Sequence, residues 1–248
     1  MKLEGKAAIV TGGGRDIGRA CVMALAKAGA SVGINYHSSS AGADSAVDEI
    51  HAAGGRAFAM QGDMTRKEDV DALVARTVEE FGRLDILMPI AGGLVARKTI
   101  AEITPEYWQT VFDLNTTSAF LLIQASLPHL KPGSAIVNMA SQAGRDGGGP
   151  GAMAYAMSKG AVMTMTRGMA KELAPGIRVN ALCPGMIDTD FHNTFTKPEV
   201  RQHVANITPL KREGSSEDVA NLAVFLASDD AAYVTGACID VNGGLLFS

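Results

Sequence analysis

The sequence predicts an α/β domain built on a doubly wound parallel sheet of about seven strands, with helices on both faces. Three observations predict it. Short apolar, β-branched runs alternate with longer stretches of helical period along the whole 248-residue chain. The runs are apolar on nearly every residue rather than on alternate ones, as strands covered on both faces are. No composition shift marks a linker and no repeat of fixed period occurs, so one domain over residues 1–248, with a sizeable core, is expected.

The elements follow in order. Ala7–Val10 is the first strand; a glycine turn leads into a helix over Gly18–Ala28 that Gly29 closes. Ser31–Asn35 is the second strand, and the helix after it, Ala41–Ala53, ends at Gly54-Gly55. Arg56–Gln61 is the third. Thr65 then precedes Glu68 in capping-box spacing at the head of a helix over Lys67–Phe81. After strand Leu84–Met88, Thr104-Pro105 reads as an N-cap with Pro at the first position of a long helix, Pro105–Leu130. Strand Ala135–Met139, helix Met153–Leu173 and strand Arg178–Leu182 come next, and helix Glu217–Ala227 and strand Cys238–Val241 close the chain. Asp188–Pro209 reads as an irregular loop. A loop of about 20 residues in a compact domain is usually functional, so a substrate lid over 188–209 is expected, with a surface excursion as the plain alternative.

Composition excludes several functions. With 22 Lys+Arg against 26 Asp+Glu the net charge is -4, and a nucleic-acid groove would want the opposite sign. No apolar run approaches the ~18–20 residues that span a bilayer, so no membrane partner is expected. The charged N-terminus runs straight into a strand, which leaves no room for a signal-peptide core and points to the cytoplasm. Cys21, Cys183 and Cys238 are odd in number and far apart, as reduced cytosolic thiols are. His37, His51, His129, His192 and His203 show no metal spacing, so no metal is expected. Glycine is in excess, at 28 residues, and half of these fall in five places: Gly12–Gly14 with Gly18, Gly92-Gly93, Gly144–Gly151, Gly185 and Gly243-Gly244.

The first glycine cluster, Thr11-Gly12-Gly13-Gly14-Arg15-Asp16-Ile17-Gly18, lies where a strand turns into a helix. Such a turn brings backbone close to a pyrophosphate and offers it the free N–H groups of the helix. The second strand ends Asn35-Tyr36-His37-Ser38-Ser39-Ser40, with no acid before Asp44. An acid there would bind the ribose 2′-hydroxyl of NAD(H); its absence, with Arg15 opposite, favours the 2′-phosphate of NADP(H), and NAD(H) stays possible. Asp16 puts a carboxylate in this turn, where it either caps its own helix or bonds a ribose hydroxyl.

Tyr155 and Lys159 stand four apart in a helical stretch, on one face. A phenol of pKa ~10 is a poor acid at neutral pH, and a neighbouring ammonium favours its ionised form. Ser141, just past a strand, and Asn115, inside the long helix, are short polar residues where apolar ones would be the default.

Together these motifs resemble the short-chain dehydrogenase/reductase family, in its short NAD(P)-dependent form, from Gly5 to about Gly244. Among its members the chain is most similar to 3-oxoacyl-[acyl-carrier-protein] reductases. The resemblance implies a Rossmann-type fold and hydride transfer between nicotinamide and a carbonyl or alcohol. It implies a catalytic set of Asn115, Ser141, Tyr155 and Lys159: Tyr155 as acid–base, Lys159 lowering its pKa and holding ribose hydroxyls, Ser141 positioning the carbonyl, Asn115 holding a relay water. It implies cofactor contacts from Gly12, Gly14, Arg15, Ile17, Gly18, Asn35, Tyr36, His37, Ser38, Asp63, Met64, Ala91, Gly92, Pro184, Gly185, Ile187 and Thr189. Where the family has Asn-Asn-Ala-Gly this chain reads Pro89-Ile90-Ala91-Gly92, so packing is expected to brace that strand end instead.

Gln142, Arg145, Met186, Phe191 and His192 are the expected substrate-side residues. Arg145 either binds a substrate anion or pairs with Asp146 beside it. The substrate is a small carbonyl or alcohol, with a carrier-protein-bound acyl chain as the form the resemblance favours. A sugar, polyol or small keto acid is the alternative, and a non-catalytic NADP(H) sensor is the reading from a different class. Family members are commonly tetramers, and Phe120, Leu121, Met163, Met165 and Met169 supply apolar faces either for such pairing or for the chain's own core.

Overall fold

The computed structural model describes residues 1–248. Seven parallel strands form one sheet in the order β3-β2-β1-β4-β5-β6-β7. They are β1 (Ala7–Thr11), β2 (Ser31–Tyr36), β3 (Ala57–Gln61), β4 (Ile86–Pro89), β5 (Ser134–Met139), β6 (Ile177–Pro184) and β7 (Cys238–Val241). Each lies within a residue or two of its expected bounds. The helices are α1 (Asp16–Lys27), α2 (Ser40–Ala52), α3 (Lys67–Phe81), α4 (Pro105–Phe112), α5 (Ser118–Ser126), α6 (Ala143–Asp146), α7 (Met153–Leu173), α8 (Asp190–Phe195), α9 (Pro198–Ile207) and α10 (Ser216–Ala227).

The apolar strand residues divide between two cores. In β1, Ala8 and Val10 face Cys21, Val22 and Leu25 of α1 and Val219, Ala223 and Leu226 of α10. Ile9 points the other way, onto Val70, Leu73 and Val74 of α3 and Leu122 and Ile123 of α5. Both faces of the strand are therefore dry, which is why the sequence shows no polar alternation. Each fully buried Leu, Ile or Val stabilises the fold by roughly 1.5–3 kcal/mol. No helix is long and apolar enough to cross a membrane.

Order reverses between β1 and β4. The chain leaves β3 at one edge, returns to pair β4 with the free side of β1 (Ala8 with Ile86, Val10 with Met88), and continues outward. Loops on either side of this seam diverge at the C-terminal ends of the strands and leave a crevice there.

Four local expectations change. Thr65 does not cap α3, because its N–H and hydroxyl both donate to Asp63 Oδ1, at 2.9 and 2.8 Å, and Arg66 takes the N-cap position. The stretch 105–130 begins as expected, with Thr104 accepting from Tyr107 N–H at 3.2 Å, but it passes through a π-helical turn at Asp113–Thr117 and ends in a 3₁₀ turn at Leu127–His129. The segment 188–209 is not irregular: it holds α8 and α9. Asp16 does not cap its own helix; it is the first residue of α1, at φ +50°, with Arg15 at the N-cap position.

Candidate active site

The crevice is a cleft of about 840 Å³ at the seam. On one side the turn after β1 forms its floor. A side chain at Gly18 would place its Cβ 2.0 Å from the Gly12 carbonyl oxygen, so only glycine lets the head of α1 approach the end of β1 this closely. The first turn of α1 carries no side-chain cap, and its N–H groups stay available to an anion. Gly12, Gly14, Arg15, Ile17, Gly18, Tyr36, His37 and Ser38 line this side. Asn35, Asp63 and Met64 do not. Asn35 is buried beneath the turn, accepting from Gly13 N–H through its backbone carbonyl at 2.8 Å and donating from its side chain to Gly62 O at 3.0 Å. The Asp63 carboxylate is spent on Thr65, and those bonds hold its pKa below the ordinary value. Met64 is buried in the core beside α3.

The opposite wall begins at β4. Thr11 Oγ1 accepts from both Ile90 N–H and Ala91 N–H at 3.1 Å, so a hydroxyl from the neighbouring strand, and not packing alone, braces the end where Ile90 replaces an amide. Ala91 and Gly92 line the cleft, as do Pro184 at the end of β6 and Gly185, Met186, Ile187 and Thr189 after it.

Three elements bring the expected catalytic residues together. Tyr155 and Lys159 project from α7, and Ser141 follows β5. Burial raises the Tyr155 pKa, and a hydrogen bond with the Ser141 hydroxyl works against that rise. Lys159 is buried, donates to the Met139 carbonyl at 2.8 Å, and is pulled down from 10.5 to about 8 by desolvation. Its ammonium sits 5.9 Å from the centre of the Tyr155 ring, and the Ser141 hydroxyl is the group that bonds the phenol directly. Asn115 lies in the π-helical turn, just outside the lining. Its Oδ1 accepts from Gly93 N–H at 2.9 Å, and its Nδ2 donates to Gly93 O and Val111 O at the same distance. The side chain thus clasps the backbone beside Gly92.

Gln142, Met186, Phe191 and His192 line the remaining wall, but Arg145 does not. Its guanidinium turns away to Asp240 Oδ1 at 2.8 Å and to the Cys238 carbonyl, so it holds β7 to α6 and is offered neither to a ligand nor to Asp146. Phe191 stands 5.7 Å from the Tyr155 ring and 5.3 Å from Phe195. His192 bonds the Thr196 hydroxyl at 2.9 Å; burial, aided by the Arg201 and Arg97 charges, lowers its pKa to about 4 and keeps it neutral. Val200, Val204 and Leu245, which sequence reasoning missed, also line the cleft, as do Arg97, Asp16 and Asp190. Val200, Val204 and Ile207 at helical spacing were the readable signal for α9.

A family model described as Enoyl-(Acyl carrier protein) reductase matches residues 12–246. An uncharacterized oxidoreductase of Methylorubrum extorquens is 42% identical over 247 residues, 98% of this chain and 99% of that protein. A 3-oxoacyl-[acyl-carrier-protein] reductase of Synechocystis sp. is 41% identical over 249 residues, 98% of each. The chain belongs to the short-chain dehydrogenase/reductase family. Among solved structures of this family's fold, a blue fluorescent protein from a metagenomic library, in complex with NADPH, is similar with a TM-score of 0.93 at 36% identity, covering 100% of both chains. This short-chain dehydrogenase/reductase is therefore an oxidoreductase of the NAD(P)(H)-using kind.

Proposed function

We propose that the protein is an NADP(H)-dependent reductase that interconverts a carbonyl and a secondary alcohol, with 3-oxoacyl thioesters, carrier-protein-bound in the cell, as its substrate class. The observation that carries the reading is the meeting of Ser141, Tyr155 and Lys159 under an apolar wall of Phe191, Phe195 and Met186. The cofactor fits the residues present. The close approach of Gly18 to Gly12 and the uncapped first turn of α1, both on the cleft, suit the pyrophosphate of a dinucleotide, and the Lys159 head on the same cleft suits its ribose. Arg15 on the rim and the lack of an acid at the end of β2 support a 2′-phosphate, and NAD(H) remains the second choice.

When bound, the nicotinamide supplies or accepts the hydride at the substrate carbon. Tyr155 gives a proton to the carbonyl oxygen as negative charge develops there, and takes it back in the reverse direction. Ser141 holds that oxygen by donating its hydroxyl hydrogen, and thereby places it beside the phenol. Lys159, while protonated, stabilises the phenolate left behind. Asn115 fixes the backbone that borders the Lys159 head. With Arg145 committed to Asp240, and Arg97 bonded to the Phe195 and Pro150 carbonyls, the cations on the substrate side are engaged, and Asp146 and Asp190 on the rim oppose a keto acid. A cytoplasmic homotetramer, paired through exposed Phe120 of α5, belongs to the same reading; Met163, by contrast, is spent in the chain's own core.

The deciding experiment follows NADPH oxidation with a 3-oxoacyl thioester beside a panel of sugars, polyols and keto acids. Turnover of the thioester is expected, and its absence at saturating NADPH overturns the substrate assignment. Arg15→Ala is expected to lower kcat/KM for NADPH about tenfold with NADH unaffected. Equal loss with both cofactors removes the argument for NADP(H). Tyr155→Phe is expected to abolish turnover while NADPH still binds.

A further inference from the structure

Helix α8 lies over the substrate end of the cleft, yet it buries none of its six residues. Phe191, His192 and Phe195 are only half-buried, so its position depends on its polar ties as well as on their ring contacts. Arg201 of α9 bonds the Asn193 side chain at the middle of α8 and Arg15 stands 3.8 Å from the Asp190 carboxylate, while the backbone of α8 is tied by two charged side chains, one at each end of the helix, on opposite walls. At the N-terminal end, Asp190 N–H donates to Asp16 Oδ1 at 3.2 Å. Asp16 belongs to the glycine turn, and burial holds its pKa above the usual carboxylate value. At the C-terminal end, the Phe195 carbonyl accepts from Arg97 Nε at 2.9 Å, and the same guanidinium donates from Nη1 to Pro150 O at 2.7 Å. Arg97 sits in the loop after β4, on the far side of the seam. Between the two ties stands Phe191, facing Tyr155.

We propose that Asp16 and Arg97 are paired positioning residues that clamp the two ends of α8, set Phe191 against Tyr155, and so govern carbonyl binding. The consequence for substrate rests on the reading of the cleft as a carbonyl site; the clamp itself does not. Because Asp16 stands in the turn that receives the cofactor, the clamp also joins the cofactor side of the cleft to the lid. The carboxylate in the glycine turn thus serves as the acceptor of a hydrogen bond from the lid.

Variants separate the clamp from charge and from backbone strain. Asp16→Gly removes the acceptor and suits the positive φ; Asp16→Asn keeps an acceptor oxygen and also tolerates it. Arg97→Met removes the donors and keeps the length. The first readout is amide hydrogen exchange in the free protein at His192, Asn193 and Thr196, whose N–H groups close the turns of α8. Asp16→Gly and Arg97→Met are each expected to speed exchange about tenfold or more, the scale of one lost hydrogen bond to a charged group, and Asp16→Asn to stay within about twofold. The second readout is steady-state kinetics with the 3-oxoacyl thioester. The same two variants are expected to raise its KM about tenfold with kcat changed less than about threefold, and Asp16→Asn to restore it.

Unchanged exchange in Asp16→Gly, or an Asp16→Asn variant as loose as Asp16→Gly, overturns the clamp. Faster exchange with an unmoved KM overturns its role in carbonyl binding. If the wild-type protein turns over no carbonyl at all, the functional reading fails, and the exchange measurements still decide whether the clamp exists.

Discussion

Gly92→Ala tests the geometry of the site most directly. Neither Gly92 nor its neighbour Gly93 has a positive φ, so alanine is conformationally acceptable at both and any difference is steric. At Gly92 the new Cβ lands 2.7 Å from Asn115 Oδ1 and 3.2 Å from Lys159 Nζ, whereas at Gly93 its nearest neighbour is Leu114 Cδ2 at 3.9 Å, an ordinary contact. Ordinary contact begins near 3.4 Å, so the Asn115 oxygen must retreat by about 0.7 Å from a hydrogen bond of 2.9 Å to Gly93 N–H. Losing that bond at a buried amide costs roughly 1–3 kcal/mol, and in a domain of this size it lowers Tm by about 3–10 °C. Displacing Lys159 by a fraction of an ångström costs kcat/KM about 10- to 100-fold. Gly93→Ala should shift Tm by no more than about 2 °C. The assays are thermal melting without cofactor and steady-state reduction at saturating NADPH. If the two variants melt together and lose the same activity, the steric reasoning is refuted.

Three further outcomes are expected. Arg145→Met leaves the half-buried Asp240 with only the Ser248 hydroxyl and should cost about 1.5–3 kcal/mol in denaturant unfolding, with the ratio of KM values for anionic and neutral carbonyls unchanged; a selective rise for the anion would return Arg145 to the substrate site. Thr11→Val keeps the shape but strands two backbone N–H groups, at roughly 2–4 kcal/mol, while Thr11→Ser keeps the hydroxyl and should cost less than half as much. Lys159 gives two pH trends of opposite sign. Its pKa falls from 10.5 unfolded to about 8 folded, so between those values the unfolded chain holds the extra proton, and stability in the absence of cofactor rises with pH across that window. Reduction requires the protonated ammonium, so kcat/KM for the carbonyl should decline as pH passes through about 8. A Lys159→Met variant with an unchanged melting profile across the window would show that another group titrates there.

The framework was legible because it rests on short-range signals. Strands buried on both faces write themselves as unbroken apolar runs, and a four-residue step on a helix forces Tyr155 and Lys159 onto one side. What the sequence concealed is of two kinds. Some of it is long range: Arg145 finds Asp240 and Asp16 finds Asp190 only because the sheet brings them together, and spacing along the chain carries no trace of either pair. The rest is local competition. Thr65 had two partners within reach, the head of α3 and Asp63, and composition does not say which bond wins. The π-helical turn around Asn115 is a similar case, since one extra residue in a helix leaves no mark on an apolar stripe this broad.

The strand order has a consequence for how the protein is made. β1 pairs on one side with β2, which follows it closely, and on the other with β4, whose partner for Ala8 is Ile86. At synthesis rates of ~5–20 residues per second, the open side of β1 waits several seconds for residues 86–89 to be made. During that wait it is an apolar edge strand, the kind of surface on which chains associate wrongly. The glycine turn already exists in the nascent chain, but only one wall of its cleft does. Tyr155 and Lys159 come later still, so a chain interrupted before α7 has a nucleotide floor and no chemistry above it.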